Sequence, residues 1–528
     1  MRDFDFPGRS TVHACNGMAA TSHPLATGVA VDVLRRGGNS LDAAVAASAT
    51  LAVVEPQSTG IGGDCFALMC PGGGEEVIGF NGSGRAPAAA TLDRFLERGI
   101  TEIAATSVHA VTMPGAIDAW ITLHDSYGRI EFSELLAPAI AYARDGYPVH
   151  GRVRFDWLRA AEALRQNEAA RETFLPDDRV PEEGDLHRQP QLAETLAKVA
   201  SGGRKAFYEG PVAEAMVSTL SEAGGLHIME DFVAVHGDYV NPISTDYRGI
   251  RVHQIPPNNQ GLTALIMLNI LEGFDLRVHA ALSAERTHLE IEAGRLGFAA
   301  RNAAISDPPS MKADLDKLLS KDWAGDLRSR IRLDRPMKDL PDLDLRKSDT
   351  VYVCVVDRDL NAVSFINSIF ESFGSAILCP QTGVLFQNRG RSFRLEVGHP
   401  NCIAPSKRPM HTIMPGMVTR DGRAVMAYGV MGGDYQPFGH TRLLTNVFDY
   451  GLDVQAALDM PRVFADERLV EVEKSFPVET IRGLLEIGHE LRISAEPLGG
   501  GQAIMIDHSR GILSGGSDPR KDGCALGY

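Results

Sequence analysis

The sequence predicts a layered fold that combines helices with β-sheet, of the α+β or α/β class. Helices predominate in the middle of the chain, where Phe132–Asp145 and His288–Ala304 place apolar residues at helical spacing. Extended runs rich in β-branched residues occur in the N-terminal third and again after Thr350. Helices mostly in one part of the chain and strands in both parts indicate a layered domain.

Two helices are predicted near the N-terminus. Ser22-His23-Pro24 has the form of an N-cap followed by a proline in the first turn, and Gly37-Gly38 ends this helix. A second helix, rich in Ala and Val, begins at Ser40 and stops before Pro56, and a helix this apolar should be buried on most sides. The glycines of Gly60–Asp64 do not have the spacing of a phosphate-binding motif, so a tight turn or a close backbone approach is expected there.

The pattern changes at Thr350. The preceding stretch, 321–349, is dense in Lys, Arg and Asp and has no sustained period, which predicts a solvated surface linker. Thr350–Val356 then reads as a buried strand, Asp357–Asn361 as a turn and Ala362–Ile369 as a second strand, which together predict a hairpin. Later extended runs that add to the sheet are Gly422–Val430 and Gly501–Ile506.

Composition excludes several classes of protein. The 528 residues are 44% hydrophobic and 23% charged, and the net charge of −16 argues against a nucleic-acid partner, which would need clustered Lys and Arg. The N-terminus lacks an apolar stretch of signal-peptide length, and the longest apolar run, Ala43–Val54, is too short to span a bilayer. We therefore expect a cytoplasmic protein without a membrane partner. The seven cysteines are scattered, with no Cys-x-x-Cys or His-Glu-x-x-His motif, so neither a disulfide framework nor a metal or other cofactor is expected.

Thr350 is a candidate nucleophile. A charged segment that ends in Asp349 and runs directly into a strand that starts with Thr is the arrangement an N-terminal nucleophile enzyme needs. The Thr350 hydroxyl would attack the carbonyl carbon of Asp349, and hydrolysis of the resulting ester would release a new N-terminus. The freed α-amine, with an unperturbed pKa of about 7.7–8.0, could then take the hydroxyl proton, so that nucleophile and general base belong to one residue. Threonines also start many ordinary strands, so the spacing alone leaves a structural role open.

Other candidate groups carry weaker signals. The chain has no Gly-x-Ser-x-Gly elbow, which argues against a serine nucleophile of that type. Gly432-Gly433 follows a predicted strand and could aim backbone N–H groups at an oxyanion, although a simple turn explains it as well. Basic residues that could bind a carboxylate are Arg389, Lys407 and Arg408.

Three longer motifs resemble one known family. They are GGNSLDAAVAASATLAVVEPQSTGIGGD, which ends at Asp64, LLAPAIAYARDGYPV at Leu135–Val149 and GGSDPRKDG at Gly515–Gly523. With these motifs the chain resembles the γ-glutamyltransferases, also called glutathione hydrolases, from near Ala20 to Tyr528. The resemblance implies a four-layer αββα N-terminal nucleophile hydrolase fold of the α+β class. It also implies autoprocessing into a large subunit, 1–349, and a small subunit, 350–528, that stay associated; a dimer of this heterodimer is a further expectation.

The resemblance also assigns roles to individual residues. SDTVYVCVVDRDLNAVS aligns with the family's processing junction, which implies cleavage between Asp349 and Thr350 and gives Thr350 the role of nucleophile. Gly432 and Gly433 fall where the family's oxyanion glycines lie. Ser368 falls on the hydroxyl residue that contacts the nucleophile.

Most of the residues that bind the glutamyl group in the family are changed in this chain, as is one residue of the processing junction. Val351 replaces the second Thr of the junction. Arg85 lies two places after Ser83, which occupies the position of the family's carboxylate-binding arginine. The remaining changed positions are Phe370 for Asn, His411 and Thr412 for paired serines, and Ser392 for the acid that binds the α-amine.

These departures leave the substrate open. Family frequency favours γ-glutamyl amides such as glutathione, whereas the stretch 387–415 resembles a divergent branch with oxamate amidohydrolase-like members, and the altered pocket favours a short amide that bears a carboxylate. Arg389 would hold that carboxylate bidentately, and Arg85 and His411 would add positive charge nearby. A β-lactam side-chain acylase and a processed but inactive binding protein are the remaining alternatives.

Overall fold

The computed structural model describes residues 4–5, 8–338, 340–341, 343–346 and 350–528. Within them, the strands in chain order are β1 (Val12–Ala14), β2 (Met18–Thr21), β3 (Asp64–Cys70), β4 (Ile78–Gly82), β5 (Tyr147–Pro148), β6 (Leu186–His187), β7 (Asp238–Val240), β8 (Ile243–Tyr247), β9 (Ile250–Gln254), β10 (Val351–Val356), β11 (Ala362–Ser368), β12 (Pro415–Arg420), β13 (Arg423–Met431), β14 (Val463–Ala465), β15 (Leu469–Val472), β16 (Glu490–Ile493), β17 (Gly500–Asp507), β18 (Ile512–Ser517) and β19 (Cys524–Gly527).

The α-helices are α1 (Pro24–Arg35), α2 (Ser40–Val54), α3 (Leu92–Glu97), α4 (Ala116–Tyr127), α5 (Phe132–Asp145), α6 (Gly151–Leu164), α7 (Glu168–Phe174), α8 (Pro190–Tyr208), α9 (Pro211–Glu222), α10 (Met229–Val233), α11 (Gly261–Glu272), α12 (Ala284–Ala304), α13 (Leu315–Leu319), α14 (Lys321–Arg328), α15 (Gln436–Phe448), α16 (Val454–Asp459) and α17 (Val478–Ile487). Among the described residues, no helix combines the length and the apolar character needed to cross a membrane.

Two seven-stranded sheets form the centre of the molecule. Sheet I has the order β1-β18-β17-β13-β12-β9-β8, and sheet II has the order β19-β2-β10-β11-β3-β4-β7. The sheets face each other across fully buried side chains, among them Phe66, Tyr352 and Ile366 from sheet II and Met417 and Ile504 from sheet I. Burial on both faces explains why these strands carry nearly continuous apolar runs.

Helices cover the outer face of each sheet. Helix α2 packs against β10 and β11 of sheet II, and all of its 15 residues are buried, as its apolar sequence predicted. Helices α11 and α15 pack against sheet I, and α12 packs on α11. The result is the predicted four-layer αββα architecture of the α+β class.

Most of the predicted elements lie where the sequence placed them. Helix α1 is capped by the side chain of His23, which accepts a hydrogen bond from the backbone N–H of Leu25. The hairpin after Thr350 is present as β10 and β11, paired from Val351 with Asn367 to Val356 with Ala362.

The prediction of a solvated linker over 321–349 is wrong for residues 321–328, whereas 329–338 are mostly exposed and contain no helix or strand. Residues 321–328 form α14, because Ser320 caps the helix and Trp323 and Ala324 pack into the apolar cluster under α11. Leu343 is also completely buried. The junction residue Asp349 lies outside the described residues, so the division into 1–349 and 350–528 stays a prediction.

Candidate active site

Thr350 lies at the start of the central hairpin of sheet II and is fully buried. Strand β10 begins at the next residue, and its register with β11 pairs Val351 with Asn367. The register places Thr350 opposite Ser368, and their hydroxyl oxygens lie 3.2 Å apart, within hydrogen-bond distance. The backbone N–H of Phe370 donates to Ser368 Oγ at 2.9 Å, which fixes this hydroxyl beside Thr350.

The glycine-rich loop before β3 brings Asp64 to the same place. A Cβ atom on Gly62 would lie 2.1 Å from the carbonyl oxygen of Leu385, and one on Gly63 would lie 2.2 Å from that of Ser368. Only glycine permits this approach, which confirms the predicted backbone contact. Strand β3 then pairs Asp64 with Ser368 in the sheet.

The buried carboxylate of Asp64 joins three segments of the chain. Its Oδ1 accepts hydrogen bonds from the backbone N–H of Gly84 and from Nε2 of Gln387, each at 2.9 Å. Its Oδ2 lies 2.9 Å from Nε2 of His411. Asp64 was not among the predicted site residues, although its position at the end of the Gly-Gly-Asp motif was a signal that could have indicated it.

His411 is neutral rather than cationic in this environment. Its side chain is completely buried. Burial and the nearby Arg389 cation lower the pKa of His411 to about 3, although the hydrogen bond to Asp64 acts in the opposite direction. The expectation that His411 adds positive charge to the site is therefore wrong, because the imidazole serves as a hydrogen-bond donor to Asp64.

Arg389 places a completely buried guanidinium next to this cluster. Its Nη1 donates to Thr412 Oγ1 at 2.8 Å, and its central carbon lies 3.9 Å from the centre of the Phe370 ring, a cation–π contact. Its Nε and Nη2 atoms have no hydrogen-bond partner among the described residues. Burial lowers the pKa of Arg389 to about 9, opposed by Asp64 and Asp434, so the group is charged at neutral pH. Two N–H donor positions of a buried cation thus have no partner in the described part of the chain.

Gln260 connects the Arg389 region with the candidate oxyanion glycines. Its Nε2 donates to the carbonyl oxygen of Thr412 at 2.7 Å and to that of Gly433 at 3.0 Å. Its Oε1 accepts from Arg301 Nη1 at 2.8 Å. A single buried amide therefore fixes two of the predicted site segments relative to each other.

Gly432 and Gly433 follow the end of β13 and have positive φ angles of 119° and 61°. A Cβ atom on Gly432 would lie 2.9 Å from Cα of Gly499, so the backbone also requires glycine for space. Residues with side chains rarely adopt such φ angles. The two glycines therefore allow their own peptide N–H groups to point in directions that a turn built from other residues would not give.

The acidic residues around the cleft already have basic partners. Phe370, Ser392, Thr412 and Asp434 line one cleft. Asp434 forms an ion pair with Arg301, and Glu371 forms one with Arg391. Ser392, which lines the same cleft, offers only a hydroxyl.

The chain just before the junction also contributes to this cleft. The backbone N–H of Arg346 donates to Asp434 Oδ2 at 2.6 Å, and the backbone N–H of Asp434 donates to the carbonyl oxygen of Arg346 at 3.1 Å. Residues 343–346 of the intact chain are therefore held against the segment that follows Gly433.

Arg85 does not join the other predicted site residues. Its guanidinium lies 3.6 Å from Asp307 and 3.9 Å from Asp238, and it donates to the carbonyl oxygen of Ser406 at 3.1 Å. Together with Ser83 it lines a separate cavity. The expectation that Arg85 adds a positive group for the same carboxylate is wrong, because Arg85 lies in this separate cavity beside Asp307 and Asp238.

The other two basic candidates are structural. Lys407 Nζ donates to the carbonyl oxygens of Pro400 and Cys402 at 2.6 and 2.9 Å. Arg408 donates to the carbonyl oxygen of Ser83 at 2.9 Å and to Asp238 Oδ2 at 2.6 Å. Of the three basic candidates, Arg389 is the one with donors free of partners in the described part of the chain.

Comparison with known proteins decides the family. The model of the Gamma-glutamyltranspeptidase family matches residues 26–528. The chain belongs to that family. It is 38% identical over 520 residues to the glutathione hydrolase-like YwrD proenzyme of Bacillus subtilis, with 97% of this chain and 98% of the relative covered. It is 34% identical over 528 residues to the oxamate amidohydrolase proenzyme of Klebsiella pneumoniae, with 97% and 98% covered.

A solved structure agrees in fold over the full length. The crystal structure of cephalosporin acylase from Bacillus halodurans superimposes with a TM-score of 0.93 at 38% identity, covering 100% of this chain and 99% of that one. The gamma-glutamyltranspeptidase-family protein is therefore an enzyme with the N-terminal nucleophile hydrolase fold. The relatives differ in their named substrates, so the family alone does not select one.

Proposed function

We propose that this enzyme is an autoprocessing N-terminal-threonine amidohydrolase whose substrate is an amide with a carboxylate on its acyl side. Thr350 Oγ attacks the carbonyl carbon of Asp349, the peptide nitrogen leaves as the α-amine of Thr350, and water hydrolyses the ester. The large and small subunits remain together, since β10 of one is paired with β2 of the other along Val353–Val356.

The processed Thr350 then acts on the substrate. Its α-amine accepts the hydroxyl proton while Oγ attacks the amide carbonyl carbon. The N–H groups of Gly432 and Gly433 stabilise the tetrahedral oxyanion. The leaving amine departs with a proton, and water, or an acceptor amine in the transfer reaction, cleaves the acyl-enzyme. Ser368 Oγ, 3.2 Å from Thr350 Oγ, orients the nucleophile.

The observation that carries the substrate proposal is the guanidinium of Arg389. A buried cation with a single hydrogen bond is unfavourable unless another partner is supplied, because its charge is poorly solvated. Nε and Nη2 present two N–H groups that match the geometry of a carboxylate. A substrate carboxylate bound there would complete the hydrogen bonding of Arg389.

Among the described residues that line the cleft with Phe370 and Ser392, each acidic side chain is already paired with an arginine. Asp434 and Glu371 are each paired with an arginine, and Ser392 provides no charge. A γ-glutamyl group carries both a carboxylate and an α-ammonium, and leaving the ammonium buried without a partner costs several kcal/mol. This favours an acyl group that carries the carboxylate alone.

A matched pair of substrates tests the proposal. Glutaryl-p-nitroanilide and γ-glutamyl-p-nitroanilide differ only in the α-ammonium, so their kcat/KM ratio isolates its contribution; oxamate adds a shorter acid amide. We expect the glutaryl compound or oxamate to have the higher kcat/KM. Better turnover of γ-glutamyl-p-nitroanilide than of both would contradict the proposal.

γ-Glutamyl amides such as glutathione remain the second candidate. The similarity to a glutathione hydrolase-like proenzyme along 97% of this chain favours it. It requires an ammonium partner other than the paired Asp434 and Glu371, and a γ-glutamyl preference in the same assay would establish it.

A further inference from the structure

A second cluster of chemically versatile side chains lies away from the Thr350 site. His288 and Glu292 of α12 and His489 after α17 are all buried. One ligand atom from each, two imidazole nitrogens and a carboxylate oxygen, lie within 4.8 Å of one another. Three potential ligand atoms, two from α12 and one from the residue after the end of α17, therefore lie close together.

The fold brings the three residues together by ordinary means. His288 and Glu292 are four residues apart on α12, so they project from the same face of the helix. Helix α17 packs across α12 and is followed by its C-cap residue Gly488, which has a positive φ of 107°. The following residue, His489, donates its backbone N–H to the carbonyl oxygen of Leu484 at 3.0 Å, which holds its side chain against α12.

Neighbouring groups orient the potential ligand atoms. His288 Nε2 lies 2.7 Å from the carbonyl oxygen of Arg332, so Nε2 carries the hydrogen and Nδ1 presents a lone pair. Nδ1 in turn lies 2.8 Å from His489 Nε2. Glu292 accepts from Arg295 Nη1 at 2.8 Å and from the backbone N–H of Met337 at 2.7 Å. An imidazole held through its second nitrogen by a carbonyl, beside an oriented carboxylate, is the usual outer environment of a metal-binding histidine.

We propose that His288 Nδ1, His489 Nε2 and a carboxylate oxygen of Glu292 bind a divalent transition-metal ion, with Zn²⁺ as the best match. Two imidazoles and a carboxylate suit Zn²⁺, which takes three protein ligands and one further ligand such as water in a tetrahedral site. Binding replaces the hydrogen bond between the two imidazoles. His489 moves its hydrogen from Nε2 to Nδ1, an atom without a hydrogen-bond partner among the described residues, and no net proton is released by this exchange.

The site would join chain segments on opposite sides of the junction. His288, Glu292 and the contacting Arg332 and Met337 precede Thr350, whereas His489 follows it. Metal binding itself does not depend on cleavage. Where cleavage occurs as proposed above, the ion would link the C-terminal part of the large subunit to the small subunit. This cluster could not be predicted from the sequence, because His288 and His489 are 201 residues apart.

Metal analysis of the full-length protein tests the proposal. Protein stripped with a chelator is incubated with Zn²⁺, passed through a desalting column and measured by inductively coupled plasma mass spectrometry. The variants are His489→Gln, whose amide can still donate to His288, and Glu292→Gln. His13→Gln removes an exposed histidine as the matched control. We expect about one Zn²⁺ per chain for the wild type and the control, and at least about tenfold weaker binding for both ligand variants.

Two further measurements keep the test independent of variant folding. In the first, Co²⁺ bound to the wild type should give the strong visible absorption of a four-coordinate site with nitrogen and oxygen ligands. In the second, Zn²⁺ should raise the Tm of the wild type and of His13→Gln but not that of His489→Gln. Less than a tenth of a Zn²⁺ per wild-type chain, or equal binding by wild type and both ligand variants, would overturn the proposal. Neither result depends on catalytic turnover, so the proposed amidohydrolase activity is tested separately.

Discussion

Replacing Arg389 by Met tests separately how this buried cation affects the stability of the protein and how it contributes to substrate binding. In the wild type this guanidinium is completely buried and, within the described part of the chain, donates one hydrogen bond, to Thr412. Met fills a similar volume without charge, and exchanging a poorly paired buried charge for an apolar group is often neutral or stabilising. We therefore expect the free energy of unfolding of Arg389→Met to be equal to or higher than that of the wild type.

Catalysis by the same variant should fall. Hydrogen bonds to a charged group contribute about 1.5–3 kcal/mol, which corresponds to a decrease in kcat/KM of about 10- to 150-fold for a substrate with an acyl carboxylate. Because the carboxylate is bound in the ground state as well as the transition state, most of the decrease should appear as a higher KM. An uncharged analogue such as butyryl-p-nitroanilide should lose much less.

Steady-state kinetics with glutaryl- and butyryl-p-nitroanilide, together with urea unfolding, measure both effects. Arg85→Met is the control, since its cation is paired with Asp307 and Asp238 in a separate cavity. Intact-mass spectrometry of each variant verifies that processing is complete before rates are compared. If Arg389→Met were less stable and kept the wild-type kcat/KM for the glutaryl substrate, Arg389 would be a structural residue and the reasoning would be refuted.

Two more outcomes follow from the site. The first concerns pH, since the α-amine of Thr350 must be unprotonated and Arg389 must be charged for catalysis. The value of kcat/KM should therefore rise as the pH passes about 8 and fall as the pH passes the Arg389 pKa of about 9. In Arg389→Met the decrease at alkaline pH should disappear, and a decrease that persists would have to come from another group. The second concerns Ser368→Ala, which removes a neutral hydrogen bond to Thr350 that contributes about 0.5–1.5 kcal/mol. This variant should have a kcat about 2- to 13-fold lower than the wild type and should be processed more slowly in a gel time course. Unchanged rates of turnover and processing would exclude an orienting role for Ser368.

Local sequence signals were sufficient for much of the fold. Helix α2 was predictable because a capping residue precedes Ser40 and a proline follows its end, and the hairpin was predictable because a short polar turn separates two β-branched runs. Helix α14 was missed because charged residues dominate its composition. Its few apolar positions, Trp323 and Leu327 among them, acquire meaning only when α11 packs against them.

The candidate site was only partly predictable for a related reason. Thr350, Ser368 and the two glycines were selected as candidates because the resemblance to the family aligns them with its site residues. Asp64 acquires its role from Gln387 and His411, which are more than three hundred residues away in the chain. The neutral state of His411 could not be predicted either, since the sequence around a histidine does not reveal how deeply its side chain will be buried.

The most direct test of the account is the identity of the residue at the new N-terminus. Intact-mass spectrometry and N-terminal sequencing of freshly purified protein should show two chains of roughly 38 and 19 kDa, if mass divides with length, with the smaller chain beginning at Thr350. Thr350→Ala should fold, remain a single chain near the full 57.0 kDa and lack turnover. A wild-type protein that stays a single chain with full activity, or a Thr350→Ala variant that turns over substrate normally, would contradict the claim that Thr350 is the nucleophile.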